Sequence, residues 1–175
     1  MKNPKRLVSV LLAVIALVIS SCGEEKSGGD ESNKVATALK GKLIELKGGK
    51  IVDGEISENL DYYVLYHSAS WWIGCVEVTK QLVSISKKNN KLGDKRKFQI
   101  VLVDYDRSAK KLEGYLKKIN ISWPAIKLEQ MESLGELTSI GEATMPHIVL
   151  LKPDGTVVSD KRDNVIKKLE ELVES

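Results

Sequence analysis

The sequence predicts a three-layer α/β fold, a central mixed β-sheet with flanking helices. Asp61 to His67 (DYYVLYH) and Phe98 to Val103 (FQIVLV) are near-continuous apolar runs, rich in aromatic and β-branched residues. That is the composition of strands covered on both faces. Between them Val78, Leu82 and Ile85 recur at i, i+4 and i+7, which sets an amphipathic helix from about Cys75 to Lys88. A strand, a helical crossover and a second strand imply parallel pairing with a right-handed connection. A hairpin near the C-terminus then adds antiparallel strands to the same sheet.

The chain opens with Lys2, Lys5 and Arg6, followed by Leu7 to Ile19, which is apolar apart from Ser9 and carries no charge. Thirteen helical residues reach roughly 20 Å, short of the ~30 Å hydrocarbon core. The segment therefore reads as an export leader over residues 1–21 rather than a membrane span. The formal net charge of +3 resides there. Without those three cations the 27 basic residues fall to 24, equal to the 24 acidic ones. Ile19-Ser20-Ser21-Cys22 resembles the lipobox of bacterial lipoproteins, and the resemblance implies cleavage before Cys22 and a lipid on its thiol, hence a membrane anchor. Gly23 after it resembles the signal of outer-membrane lipoproteins, which implies a periplasmic face in a Gram-negative source.

Gly23 to Lys34 contains no apolar residue and cannot offset its own ordering entropy. Residues 22–38 are expected to be a flexible tether and 39–175 one domain. Within the domain, Lys42 to Lys47 and Lys50 to Val52 flank Gly48-Gly49 and read as a hairpin. Asp106 or Ser108 can cap a helix bearing Leu112, Tyr115, Leu116 and Ile119 on one face. Residues 129–140 carry a weaker helical pattern. His147 to Leu151 and Thr156 to Ser159 bracket the turn sequence Lys152-Pro153-Asp154-Gly155. The closing helix carries Val165, Ile166, Leu169, Leu172 and Val173.

The loop after the first central strand carries the chemistry. Ser68-Ala69-Ser70-Trp71-Trp72-Ile73-Gly74-Cys75 resembles the S-A-S-W-C-x-x-C segment of tryparedoxins and nucleoredoxins, members of the thioredoxin superfamily. Val101 to Ser108 (VLVDYDRS) resembles their strand-to-helix junction, and Thr144-Met145-Pro146 their cis-proline loop. Tyr66 stands where tryparedoxins have an aromatic residue. The resemblance spans about residues 42–160 and implies the thioredoxin-like fold. Its chemistry uses two cysteines, an attacking thiolate and a resolving thiol three residues later. Aligned on Trp71, the attacking position is Trp72, and Cys75 stands at the resolving position.

With Cys22 joined to lipid, Cys75 is the domain's one thiol, and no intramolecular disulfide cycle can run on it. Cys75 remains a candidate nucleophile, with a small buried residue at the helix start as the plainer reading. Trp71 and Trp72 either form an exposed aromatic platform for a partner peptide or pack down and plug the site. The resemblance implies that Met145 and Pro146 offer backbone to an extended substrate. His67 is expected to be a structural histidine, and His147 follows the proline with its distance from Cys75 open. The two histidines lie 80 residues apart, and no Cys/His spacing supports a metal site. No cofactor is implied. The basic run Lys87, Lys88, Lys91, Lys95, Arg96, Lys97 lacks interleaved aromatics and gives no support to nucleic-acid binding. Three functions stay open: a membrane-tethered, non-catalytic protein- or peptide-binding module, a residual thiol-disulfide oxidoreductase acting through Cys75, and a structural envelope lipoprotein.

Overall fold

The computed structural model describes residues 32–139 and 144–174. The leader, Cys22 and most of the expected tether lie outside the described residues. Seven strands form one sheet: β1 (Leu43–Lys47), β2 (Lys50–Asp53), β3 (Tyr62–Ser68), β4 (Phe98–Asp104), β5 (Ala125–Ile126), β6 (His147–Leu151) and β7 (Val157–Ser159). Their order is β2-β1-β5-β4-β3-β6-β7. As the apolar runs required, β3 and β4 pair in parallel, from Tyr62 opposite Phe98 to Ser68 opposite Asp104. β6 lies antiparallel on the other side of β3, placing His67 opposite His147.

Helices α1 (Lys34–Leu39), α2 (Ile73–Lys91), α3 (Ala109–Ile119), α4 (Gly135–Ser139) and α5 (Arg162–Glu174) complete the layers. Strand alternation divides the core. Val64, Tyr66, Ile100, Leu102, Ile148 and Leu150 meet α2, α3 and α5 on one face. Tyr63, Leu65, Val101, Val103, Val149 and Leu151 meet α1 and Leu134 on the other. Each central strand is therefore buried twice, which is why its sequence is continuous rather than alternating. Among the described residues no helix is long and apolar enough to cross a membrane.

The domain starts earlier than the tether boundary at residue 38 implied. Residues 34–38 lie in α1, whose Val35, Ala36 and Leu39 are buried. Asn33 caps α1 by accepting the Ala36 N–H at 2.9 Å and donates to the Tyr63 hydroxyl at 2.7 Å. Val35 N–H reaches the Pro153 carbonyl at 3.0 Å. Six residues are too short to signal a helix by period, yet their three buried apolar side chains suffice to cover part of the sheet face. β5 was missed for a similar reason, since two residues have no period. Between them, α2 begins at Ile73, two residues before the expected start, and Asn89 ties its end to the sheet by donating to the Phe98 carbonyl at 2.8 Å. The weak pattern at 129–140 resolves into short 3-10 turns and α4.

Candidate functional site

The site is built where β3 ends and α2 begins. Ser68 is the last strand residue, and its carbonyl accepts the Tyr105 N–H at 2.9 Å. The turn that follows is fastened by Asp106, not capped onto α3 as the sequence allowed. Ser70 donates its backbone N–H to both Asp106 carboxylate oxygens, at 3.1 and 3.3 Å, and its hydroxyl to Oδ1 at 2.8 Å. Ser108 occupies the α3 N-cap position with extended backbone and no side-chain cap bond. The neighbouring Asp104 is buried, and one of its oxygens has no partner among the described residues. Burial first, then the adjacent Asp106 charge, raises its carboxyl to about 7.

From this turn four apolar side chains face solvent. Trp71 is 59% exposed, Trp72 44%, Ile73 81% and Val76 41%. The two indoles meet edge to face, with centroids 5.9 Å apart. Trp72 leans over the helix start. A Cβ built on Gly74 would lie 2.9 Å from Trp72 Nε1 and 3.5 Å from Pro146 Cδ. Glycine at 74 is therefore what lets the indole lie close beside the Met145–Pro146 loop. That peptide bond is cis, and both residues are half-buried. The structure thus gathers Trp71, Trp72, Met145 and Pro146 on one side of the domain. Ile73 and Val76 join them and were missed in the sequence, although Val76 lies off the inward stripe Val78, Leu82, Ile85 and could have been flagged by that displacement.

Cys75 is free and buried, 1% exposed. Its N–H bonds to the Trp72 carbonyl at 3.0 Å, and its own carbonyl accepts the Tyr66 hydroxyl at 3.1 Å. Beneath it runs a chain of buried hydroxyls: Tyr66 to Thr79 at 2.8 Å, Thr79 to Tyr115 at 3.2 Å, Tyr115 to Ser68 at 2.8 Å. With Tyr66 donating to Cys75, one direction satisfies them all: Ser68 to Tyr115 to Thr79 to Tyr66. Burial raises the Tyr66 and Tyr115 phenols above the ordinary tyrosine value, so both stay protonated donors.

His147 is not brought to Cys75. Alternation along β6 puts it with Val149 and Leu151 on the α1 face, while Tyr66 and Cys75 sit under α2. It faces His67 instead, ring centroids 5.7 Å apart. His67 is buried and its Nδ1 bonds the Tyr105 hydroxyl at 3.1 Å, the structural role expected of it. Burial, with His147 adding, depresses it to about 4. Among the described residues no group of three or more His, Cys, Asp or Glu is placed to hold a metal ion.

A thioredoxin-like family model matches residues 59–157. Nucleoredoxin of Xenopus laevis is 30% identical over 99 residues, covering 56% of this chain and 23% of that protein. Probable nucleoredoxin 1 of Arabidopsis thaliana is 29% identical over 104 residues, covering 59% and 17%. The matched region thus spans less than a quarter of these curated relatives. Among solved structures, tryparedoxin I from Leishmania major superposes with a TM-score of 0.58 at 25% identity, over 77% of this chain and 92% of its own. The β3–α2 turn and the cis-proline loop both lie inside the matched segment. The chain belongs to the thioredoxin-like family, a family of redox proteins.

Proposed function

We propose that this chain is a membrane-anchored, extracytoplasmic thioredoxin-like module that binds an extended protein segment and does not catalyse dithiol exchange. The observation that carries the reading is the apolar surface of Trp71, Trp72, Ile73 and Val76 beside the Met145–Pro146 loop, with Cys75 buried beneath it. Four exposed apolar side chains in six residues form a contiguous patch of the kind that marks an interaction site, and paired tryptophans suit anchoring of a partner. Aligned on Trp71, Trp72 is read as the counterpart of the attacking cysteine in the S-A-S-W-C-x-x-C segment, a reading that rests on the motif resemblance. An indole there has no nucleophile to offer, and the thiol behind it is 1% exposed. The anchor is the lipid implied for Cys22.

Three experiments test this. Thiol titration of the purified chain across pH, with a disulfide-reduction assay, is expected to show slow labelling of Cys75 and no turnover. Turnover abolished by Cys75→Ser would replace this reading with a residual oxidoreductase. Crosslinking in the envelope is expected to give partner adducts that disappear in Trp72→Ala. Adducts absent from the unaltered chain as well would leave a structural lipoprotein. Separately, Cys22→Ser is expected to abolish lipid incorporation and membrane retention.

A further inference from the structure

Beside Trp72, α2 and α3 stand apart and leave a cleft of about 350 Å³. This lies within the size range of small-molecule sites, roughly 300–1,000 Å³. Its walls are apolar: Trp72, Val76 and Val83 from the α2 side, Ile119 from α3. The hydroxyls that line it are already committed. Thr79 and Tyr115 bond one another within the hydroxyl chain, and the Ser70 hydroxyl is held by Asp106. The interior therefore asks for an apolar body, and beyond the weak donor of the Cys75 thiol it offers no spare hydroxyl donor for a polar one.

The mouth is different. Lys80 and Lys118 line it from the two helices, and no acidic residue lines the cleft. Long lysine stems cover apolar wall while their ammonium groups stay in water. Lys80 is paired with Glu77 at 2.8 Å, whereas among the described residues Lys118 has no acidic partner within ion-pair distance. The rim thus carries one uncompensated positive charge above an apolar slot.

We propose that the α2–α3 cleft binds a small amphipathic carboxylate, its aryl or alkyl body between Trp72 and Ile119 and its single negative head at Lys118. One net positive charge matches a monoanion. The saturated hydroxyls of the lining fix the orientation, tail inward and head at the mouth. The cleft shares Trp72 and Val76 with the peptide face, whereas Lys118 and Val83 line the cleft alone, so variants at those two residues test this proposal apart from peptide binding.

The probes are 4-phenylbutyrate and its uncharged amide, titrated calorimetrically into the purified full chain and followed by backbone amide shifts. The acid is expected to bind about fivefold more tightly than the amide, the scale of one partly exposed charge pair. Lys118→Glu should erase that preference and leave amide binding unchanged. Lys118 is an exposed helix residue, so this variant keeps its fold. Val83→Phe, which fills the slot, should weaken both probes about tenfold or more. Shifts are expected at Val76, Thr79, Val83 and Ile119. Equal affinity for acid and amide would overturn the proposal. So would an unchanged preference in Lys118→Glu, shifts confined to Met145 and Pro146, or no binding of either probe at millimolar concentration.

Discussion

Asp106 holds the turn that carries both tryptophans, its carboxylate accepting from the Ser70 backbone N–H and hydroxyl. Charge-assisted bonds to a buried acceptor are the stronger kind, about 1.5–3 kcal/mol each to lose. Asp106→Ala is therefore expected to destabilise the domain by about 2–3 kcal/mol in urea unfolding and to loosen Trp71 and Trp72, seen as increased quenching of their fluorescence by acrylamide. Asp106→Asn keeps one acceptor oxygen and should cost about half as much. Tyr66 is a second such residue. Its hydroxyl links the Cys75 carbonyl to Thr79, so Tyr66→Phe leaves two buried partners a bond short, at about 1–3 kcal/mol. Unfolding midpoints measure this directly, and unchanged stability would mean the chain of hydroxyls rearranges around the missing one. The ring itself packs edge to face on Trp123 at 6.2 Å, and Phe preserves that contact.

At the scale of elements, the start of α2 trades helix stability for surface. Its N-cap residue, Trp72, supplies no side-chain bond, and the first turn has no acidic residue, though both would ordinarily stabilise an N-terminus. Gly74 in that turn lacks helix propensity by about 1 kcal/mol relative to Ala, yet a Cβ there would come within 2.9 Å of Trp72 Nε1. Gly74→Ala is therefore expected to leave global stability within about 1 kcal/mol, because the exposed indole can swing away, while abolishing Trp72-dependent crosslinks. Retained crosslinks would show that the indole's position over Gly74 is not used. At the other edge of the fold, α1 depends on Asn33, which caps it and binds Tyr63. Asn33→Ala should cost about 1–3 kcal/mol through loss of the cap and of its bonds to the Tyr63 hydroxyl and the Glu58 carbonyl.

Across the whole molecule, two buried groups titrate in opposite senses. Asp104 is raised to about 7, so the native state keeps a proton that the unfolded chain has released above about pH 4. Its contribution to stability is full at low pH and is lost as pH rises from about 4 to 7. His67 is depressed to about 4, so the unfolded chain takes up a proton below about pH 6.5 that the native state refuses. Its contribution is present above that pH and is lost as pH falls to about 4. Between the two pKa values each slope approaches about 1.4 kcal/mol per pH unit, with opposite signs, so the unaltered chain is expected to be nearly flat between pH 4.5 and 6.5. Asp104→Asn should then show stability rising with pH across that window, and His67→Gln stability falling. Parallel profiles for the two variants would refute the assignment. Much of this architecture was legible in the chain itself. Apolar runs at 61–67 and 98–103, the Gly48-Gly49 turn and the stripe of α2 define the layers, because periodicity records which side of an element is buried. The candidate site was legible by another route, the resemblance of the S-A-S-W segment and Thr144-Met145-Pro146 to tryparedoxin motifs. What the tertiary structure alone decided is how those pieces meet: Trp72 leaning over Gly74 toward Pro146, Cys75 sealed beneath, His147 turned to His67 on the opposite face, and α2 held off α3 around a cleft. Such placements depend on how the shapes of distant segments fit together in three dimensions, and no pattern within a single element encodes that fit.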